Sequence, residues 1–217
     1  MTSPNRSCRH WVIGDVHGCA EPLAELVRLL PSQDRLVLCG DVINRGPEIQ
    51  RTMELAWSLV ESGRAIWLKG NHEADLVRAL GSNAPWQAHQ ALAGSDTYRQ
   101  LGDTYSRLWG ERLANLPVTY GQEGWVATHA GFDPQTWLPD LNVRMPFWQA
   151  YDGRFGEVII GHTPGPHVRR LGDEGPTQIV MVDTGACYGG ELTAYCPETR
   201  AIRQVSARPA TSLRCLV

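Results

Sequence analysis

Six short apolar runs in this chain end on residues able to hold a cation. "WVI" runs into "GDVHG", "LVL" into "CGDVINRG" and "IWL" into "KGNHE". "WVAT" runs into "HAG", "VII" into "GHTP" and "IVMV" into "DTGACYGG". Asp15 and His17 stand two apart with one residue between, so both can reach one ion from an extended turn. Asp41 adds a carboxylate; Asn71, His129 and His162 add neutral ligands. Such a mixed nitrogen and oxygen set suits Mn, Fe or Zn better than Ca or a thiolate-bound metal. Two ions about 3.5–4 Å apart that share a carboxylate form a hydrolytic device, and Asp41 is the candidate bridge.

These residues need elements that bring them together. The apolar runs read as strands, and helical patterns separate the first three. Leu23, Leu26, Val27 and Leu30 form one stripe, and Ile49, Met53, Ala56 and Val60 another. A third helix is expected from about 72 to 80. This β-α-β-α-β-α order predicts an α/β fold, in which ligands bind beyond the carboxyl ends of the strands. Residues 81–117 read as a helical insert or cap. Four strand-like runs follow, then "AIRQV", with "CPETR" as a hairpin turn. Residues 132–156, broken by Pro134, Pro139 and Pro146, read as a long substrate loop holding short helices. The whole of 1–217 is expected to be one domain.

Composition narrows the partners. A chain of 217 residues with 42% hydrophobic content and a net charge of −3 has material for a core. It shows no basic block, so nucleic acid is not an expected partner. No run reaches membrane-spanning length, and the first residues lack the apolar stretch of a secretory signal. Cys8, Cys19, Cys39, Cys187, Cys196 and Cys215 have no regular spacing and no CxxC pair. They read as reduced thiols of a cytoplasmic protein.

With these motifs in place, the chain resembles the phosphoprotein phosphatase branch of the calcineurin-like metallophosphoesterases. The matching stretches are "GDVHG" at 14–18, "GDVINRG" at 40–46, "GNHE" at 70–73, "HAG" at 129–131 and "GH" at 161–162. The resemblance implies a β-sandwich flanked by helices, with a dinuclear site at the edge where the strands end. It implies Asp15, His17 and Asp41 on one divalent ion and Asp41, Asn71, His129 and His162 on the other. Mn is the expected metal, with Fe, Zn, Ni or Co as alternatives. It implies Arg45 as a phosphate clamp and His72 as the general acid. "RMPF" places a second phosphate arginine at Arg144, with Arg154 competing. The reaction implied is direct attack of a metal-activated hydroxide on phosphorus, without a covalent phosphoenzyme.

The substrate turns on Asn44. The protein phosphatases have Asp before this arginine, paired with the GNH histidine. An amide here is expected to hold the imidazole N–H of His72 through its oxygen and, lacking charge, to raise its pKa less. The symmetrical diadenosine tetraphosphate hydrolases also lack that Asp, and "DTGACYGGELTAY" is similar to their ending. They carry a longer insert between HAG and GH than the stretch between His129 and His162 here, and "GNHE" is the protein-phosphatase form. A phosphorylated protein or a small phosphoester is the expected substrate, with protein phosphatase first and dinucleoside polyphosphate hydrolase second. A phosphopeptide-binding pseudoenzyme is the alternative of another class.

Overall fold

The computed structural model describes residues 8–172 and 178–208. Its first half alternates β1 (His10–Ile13), α1 (Ala20–Leu29), β2 (Arg35–Leu38), α2 (Ile49–Glu61), β3 (Ala65–Trp67) and α3 (Asn71–Leu80). Two further helices follow, α4 (Pro85–Gly94) and α5 (Asp96–Ala114). The second half holds β4 (Thr119–Gln122), β5 (Trp125–Thr128), β6 (Glu157–Ile160), β7 (Arg169–Leu171), β8 (Ile179–Met181), β9 (Glu191–Cys196) and β10 (Ala201–Ser206).

The strands form two sheets, ordered β10-β9-β1-β2-β3 and β4-β5-β6-β8-β7. Within the first, β1, β2 and β3 run parallel; within the second, β5, β6 and β8 do. These are the six apolar runs of the sequence. Parallel strands buried on both faces need continuous apolar sequence, which is why the runs do not alternate with polar residues. Parallel direction also puts the polar ending of every run at the same edge of its sheet.

Successive side chains point to opposite faces of a strand. Val12 and Val37 turn inward to meet Ala127, Ile159 and Val180 of the other sheet, while Trp11, Ile13, Leu36 and Leu38 pack under the helices. Each fully buried aliphatic side chain contributes about 1.5–3 kcal/mol. Among the described residues no long helix packs over the outer face of the second sheet. Phe132, Phe147 and Tyr151 cover it instead, against Val158, Ile160, Ile179 and Met181. Residues 132–156 therefore serve first as a structural layer; the regular structure there is one short turn of 3-10 helix, Phe147–Gln149, and an isolated bridge between Phe132 and Pro139. The insert at 81–117 is helical, and α4 and α5 pack against α3.

Among the described residues no helix is long and apolar enough to cross a membrane. Cys8, Cys19, Cys39, Cys187 and Cys196 are unpaired; Cys215 lies outside the described residues.

Candidate metal centre

Sheet one delivers Asp15 and His17 after β1, Asp41 after β2 and Asn71 after β3. Sheet two delivers His129 after β5 and His162 after β6. They meet between the two sheet edges, and all but Asn71, which is half-buried, are buried. The chain turns sharply to do this. Seven described non-glycine residues have positive φ, and five of them are His17, Asp41, Asn44, Arg45 and His162. Such conformations cost about 1–3 kcal/mol each and persist where the surroundings over-determine them. Close approach explains two glycines. A Cβ at Gly70 would lie 2.2 Å from Asp41 Oδ1, and one at Gly161 would lie 2.1 Å from Asp15 Oδ1.

Asp41 Oδ2 is the atom the two halves share. His17 Nε2 lies 3.6 Å from it and His129 Nε2 lies 3.4 Å from it. Asp15 Oδ2 is 3.8 Å from His17 Nε2. His129 Nε2 is 3.0 Å from Asn71 Oδ1 and 3.1 Å from His162 Nδ1. The other oxygens are used by backbone: Asp41 Oδ1 accepts from His72 N–H at 3.0 Å, and Asp15 Oδ1 from His162 N–H at 3.0 Å.

The imidazoles show what belongs between these atoms. His17 Nδ1 donates to the Ile43 carbonyl at 2.8 Å, and His129 Nδ1 to the Cys39 carbonyl at 2.9 Å. A carbonyl only accepts, so each Nδ1 carries the proton and each neutral ring offers an Nε2 lone pair. Burial, the largest influence, lowers the pKa of His17 and His162 to about 3 and of His129 to about 4. These Nε2 lone pairs thus face carboxylate oxygens at 3.4–3.8 Å. That arrangement repels itself and is relieved by a cation, and backbone-held imidazoles are the usual way to orient metal ligands. Donor atoms close enough to share one ion come in two groups that meet at Asp41: His17, Asp41 and His72 in one, and Asp41, His129 and His162 in the other, with Asp15 beside His17 and Asn71 beside His129. Burial and the neighbouring Asp183 and Asp41 charges push Asp15 well above the usual carboxylate range, and burial raises Asp41 to about 7.

Asp183 was not among the sequence candidates. It is buried at the end of the sixth run, its carboxyl raised first by burial. The signal was its place after β8, parallel to the strands that carry His129 and His162. Glu73 was also missed. It stands in the first turn of α3, fully buried, and accepts backbone N–H bonds from Asp41, Val42 and Gly70, each at 2.9 Å. One carboxylate thus clamps the Asp41 loop to the start of the next helix.

His72 and Arg45 form the rim, with Arg45 Nη2 3.1 Å from His72 Nε2. His72 Nε2 also lies 3.8 Å from Asp41 Oδ2. Arg45 is held by the hydroxyl of Tyr188. The expectation for Asn44 is corrected. Its Oδ1 is taken by Thr97 N–H at 2.9 Å, Thr97 Oγ1 at 2.8 Å and Ser95 Oγ at 3.1 Å. A backbone N–H can only donate, which fixes the amide orientation. The amide nitrogen is therefore what faces His72 Nδ1, at 2.7 Å. Neutral His72 accepts at Nδ1 and carries its proton on Nε2. Burial and then the Arg45 charge lower its pKa to about 4.

Arg144 is exposed, and its charge helps hold down the pKa of His129 and His162 after burial has lowered both. Arg154 is engaged elsewhere: it pairs with Asp152 at 2.7 Å and lies over the Trp137 ring. The charge of Arg144, and not that of Arg154, acts on His129 and His162.

The family model described as calcineurin-like phosphoesterase matches residues 8–190. The chain is a calcineurin-like phosphoesterase. It is a hydrolase of phosphoesters, in a family that uses a dinuclear divalent metal site. Among its relatives, a serine/threonine-protein phosphatase 1 of Salmonella typhimurium is 30% identical over 219 residues, covering 87% of this chain and 92% of that one. A bis(5'-nucleosyl)-tetraphosphatase PrpE [asymmetrical] of Oceanobacillus iheyensis is 25% identical over 237 residues, covering 91% and 92%. A protein serine/threonine phosphatase structure from Saccharomyces cerevisiae shares the fold with a TM-score of 0.60 and 13% identity, covering 94% of this chain and 81% of that one.

Proposed function

We propose that this phosphoesterase is a protein phosphatase that hydrolyses phosphoserine, phosphothreonine or phosphotyrosine in one step. The observation that carries the reading is the Arg45–His72 pair above the carboxylate and histidine cluster. Two N–H groups 3.1 Å apart have no acceptor between them. A phosphoryl oxygen and a leaving oxygen supply the missing acceptors, as a cation answers the lone pairs beneath.

Bound divalent ions would supply the activated water and the positive charge that phosphoester hydrolysis needs. Asp15, His17, Asp41, Asn71, His129 and His162 would hold them. The Arg45 guanidinium clamps two phosphoryl oxygens, with Arg144 approaching from the far rim. The Nε2–H of His72 meets the leaving oxygen and stabilises its developing charge by a hydrogen bond. Mn is the expected metal, since carboxylate, amide and imidazole together suit it. The five unpaired described thiols fit a cytoplasmic setting.

The 30% identity to the Salmonella phosphatase, across 92% of that protein's length, supports the protein substrate. A dinucleoside tetraphosphate is the second reading, favoured by the tetraphosphatase relatives. Steady-state kcat/KM of Mn-loaded enzyme on phosphoserine, phosphothreonine and phosphotyrosine peptides, set against diadenosine tetraphosphate, decides between them. Faster turnover of a peptide supports the proposal; faster turnover of the dinucleotide overturns it.

A further inference from the structure

A third aspartate is buried beside Asp15 and Asp41. Asp183 follows β8, which runs parallel to β6 and next to it, so it stands at the same sheet edge as His162. Its exposure is 5%. The loop that carries Asp15 is pressed against it. A Cβ at Gly14 would lie 2.4 Å from the Val182 carbonyl oxygen and 3.2 Å from Asp183 Cα. The two carboxyls act on one another: after burial, the Asp183 charge does most to raise the Asp15 pKa, ahead of the Asp41 charge.

Asp183 is poorly compensated. Its Oδ1 accepts the Gly185 N–H at 3.0 Å. Among the described residues its carboxyl has no further hydrogen bond and no ion pair, and Arg45, Arg169 and Arg144 act on it only from a distance. Glu73 is the contrast, with three backbone N–H groups each at 2.9 Å. A buried carboxylate with so few partners costs the fold unless a cation answers it.

The ligands leave room for that charge. Two divalent ions bring twice the charge that Asp15 and Asp41 supply, and Asn71 and the neutral imidazoles add none. Asp15 is also partly spent, since its Oδ1 accepts the His162 N–H at 3.0 Å. Asp183 belongs to neither group of donor atoms close enough to share one ion. Its contribution is therefore charge and not coordination.

We propose that Asp183 is the charge-compensating carboxylate of the ion held beside Asp15 and His17: it strengthens the binding of that ion, and in the metal-free chain it crowds Asp15 and weakens the fold. This holds for either substrate. It rests on the placement of the ions and not on the protein-phosphatase reading. Asp183 touches no reacting atom.

The test compares the parent with Asp183→Asn, whose amide oxygen keeps the Gly185 bond while the charge is gone. Mn is titrated calorimetrically into chelator-stripped full-length protein, and Tm is taken with and without Mn. One of the two binding events should weaken about tenfold or more, the range for residues that support metal ligands. The Tm of the metal-free protein should rise by about 2–4 °C. These opposite signs mark the role, since a residue that only packs the loop would lower the metal-free Tm. Asp183→Ser, with a hydroxyl to accept from Gly185, should repeat the pattern. Two unaltered binding events overturn the inference, and so does a metal-free Tm that falls in both variants. Failure of the ion placement looks different: the parent itself binds no Mn, and the inference falls with it.

Discussion

Asn44 points its amide nitrogen, not its oxygen, at His72: Asn44 Nδ2 lies 2.7 Å from His72 Nδ1, while three donors from Ser95 and Thr97 occupy the amide oxygen. An amide donor at Nδ1 stabilises the neutral ring and opposes a proton there. A carboxylate does the reverse. Asn44→Asp should therefore raise the His72 pKa from about 4 by roughly 1–3 pH units and move its proton to Nδ1. Side-chain 15N shifts across a pH titration, in protein loaded with a diamagnetic divalent ion, report both changes. An identical His72 titration in parent and variant would rule out this account of Asn44.

Much of this site could be read in the sequence because parallel strands need unbroken apolar runs, and each run stops where its polar ending begins. That made Asp15, Asp41, His129 and His162 visible. The two strands not anticipated, β4 and β7, are the edges of the second sheet. They are partly exposed and polar, so no apolar run marks them. The orientation of Asn44 was not legible for another reason. It is set by Thr97, 53 residues away on α5, and no local pattern announces that contact. Glu73 was hidden likewise, since its partners Asp41 and Val42 lie across two strands.

Removing metal should weaken the fold as well as the activity. The lone pairs around Asp41 Oδ2 face one another at 3.4–3.6 Å and gain from a cation only in the folded chain. A ligand at 100 times its Kd stabilises by about 2.7 kcal/mol, which for this size corresponds to about 5–11 °C in Tm. Calorimetry of chelator-treated protein, before and after Mn is restored, measures the difference. In Asp41→Asn the rise should be small and p-nitrophenyl phosphate turnover lost. A Tm indifferent to chelator would contradict the placement of the ions.

Glu198 gives the fold an acid-sensitive tie. It accepts from His10 Nδ1 at 2.8 Å and from His10 N–H at 3.2 Å, joining the β9–β10 turn to the start of β1. Burial alone would raise its pKa, but the bonds from His10, from its own backbone N–H and from Cys196 together outweigh burial and hold it below the ordinary value. A depressed carboxyl pKa contributes stability above the unfolded value, near 4.3, and loses it as pH falls through the folded one. Glu198→Gln should therefore cost stability at pH 7 and almost none below about pH 3.5. Tm curves of the two proteins from pH 7 to 3 should converge at the acid end; parallel curves would sink the argument.

The close approach at Gly161 separates the site from the fold. A methyl there would fall 2.1 Å from Asp15 Oδ1, the oxygen that accepts the His162 N–H, and 3.7 Å from the His129 carbonyl. The backbone of Gly161 donates to that same carbonyl at 2.8 Å, so the strand end cannot back away without losing a buried hydrogen bond. Asp15 is the group that must move. It takes with it a proposed ligand of the ion it shares with His17, while the core between the sheets, built on Val12, Val37, Ile159 and Val180, stays in place. Gly161→Ala should keep its far-UV circular dichroism and a cooperative melt. Calorimetric titration with Mn should find one of the two binding events weakened at least tenfold, which corresponds to about 1.4 kcal/mol. Two unaltered binding events would show that Asp15 is not held against Gly161 as described.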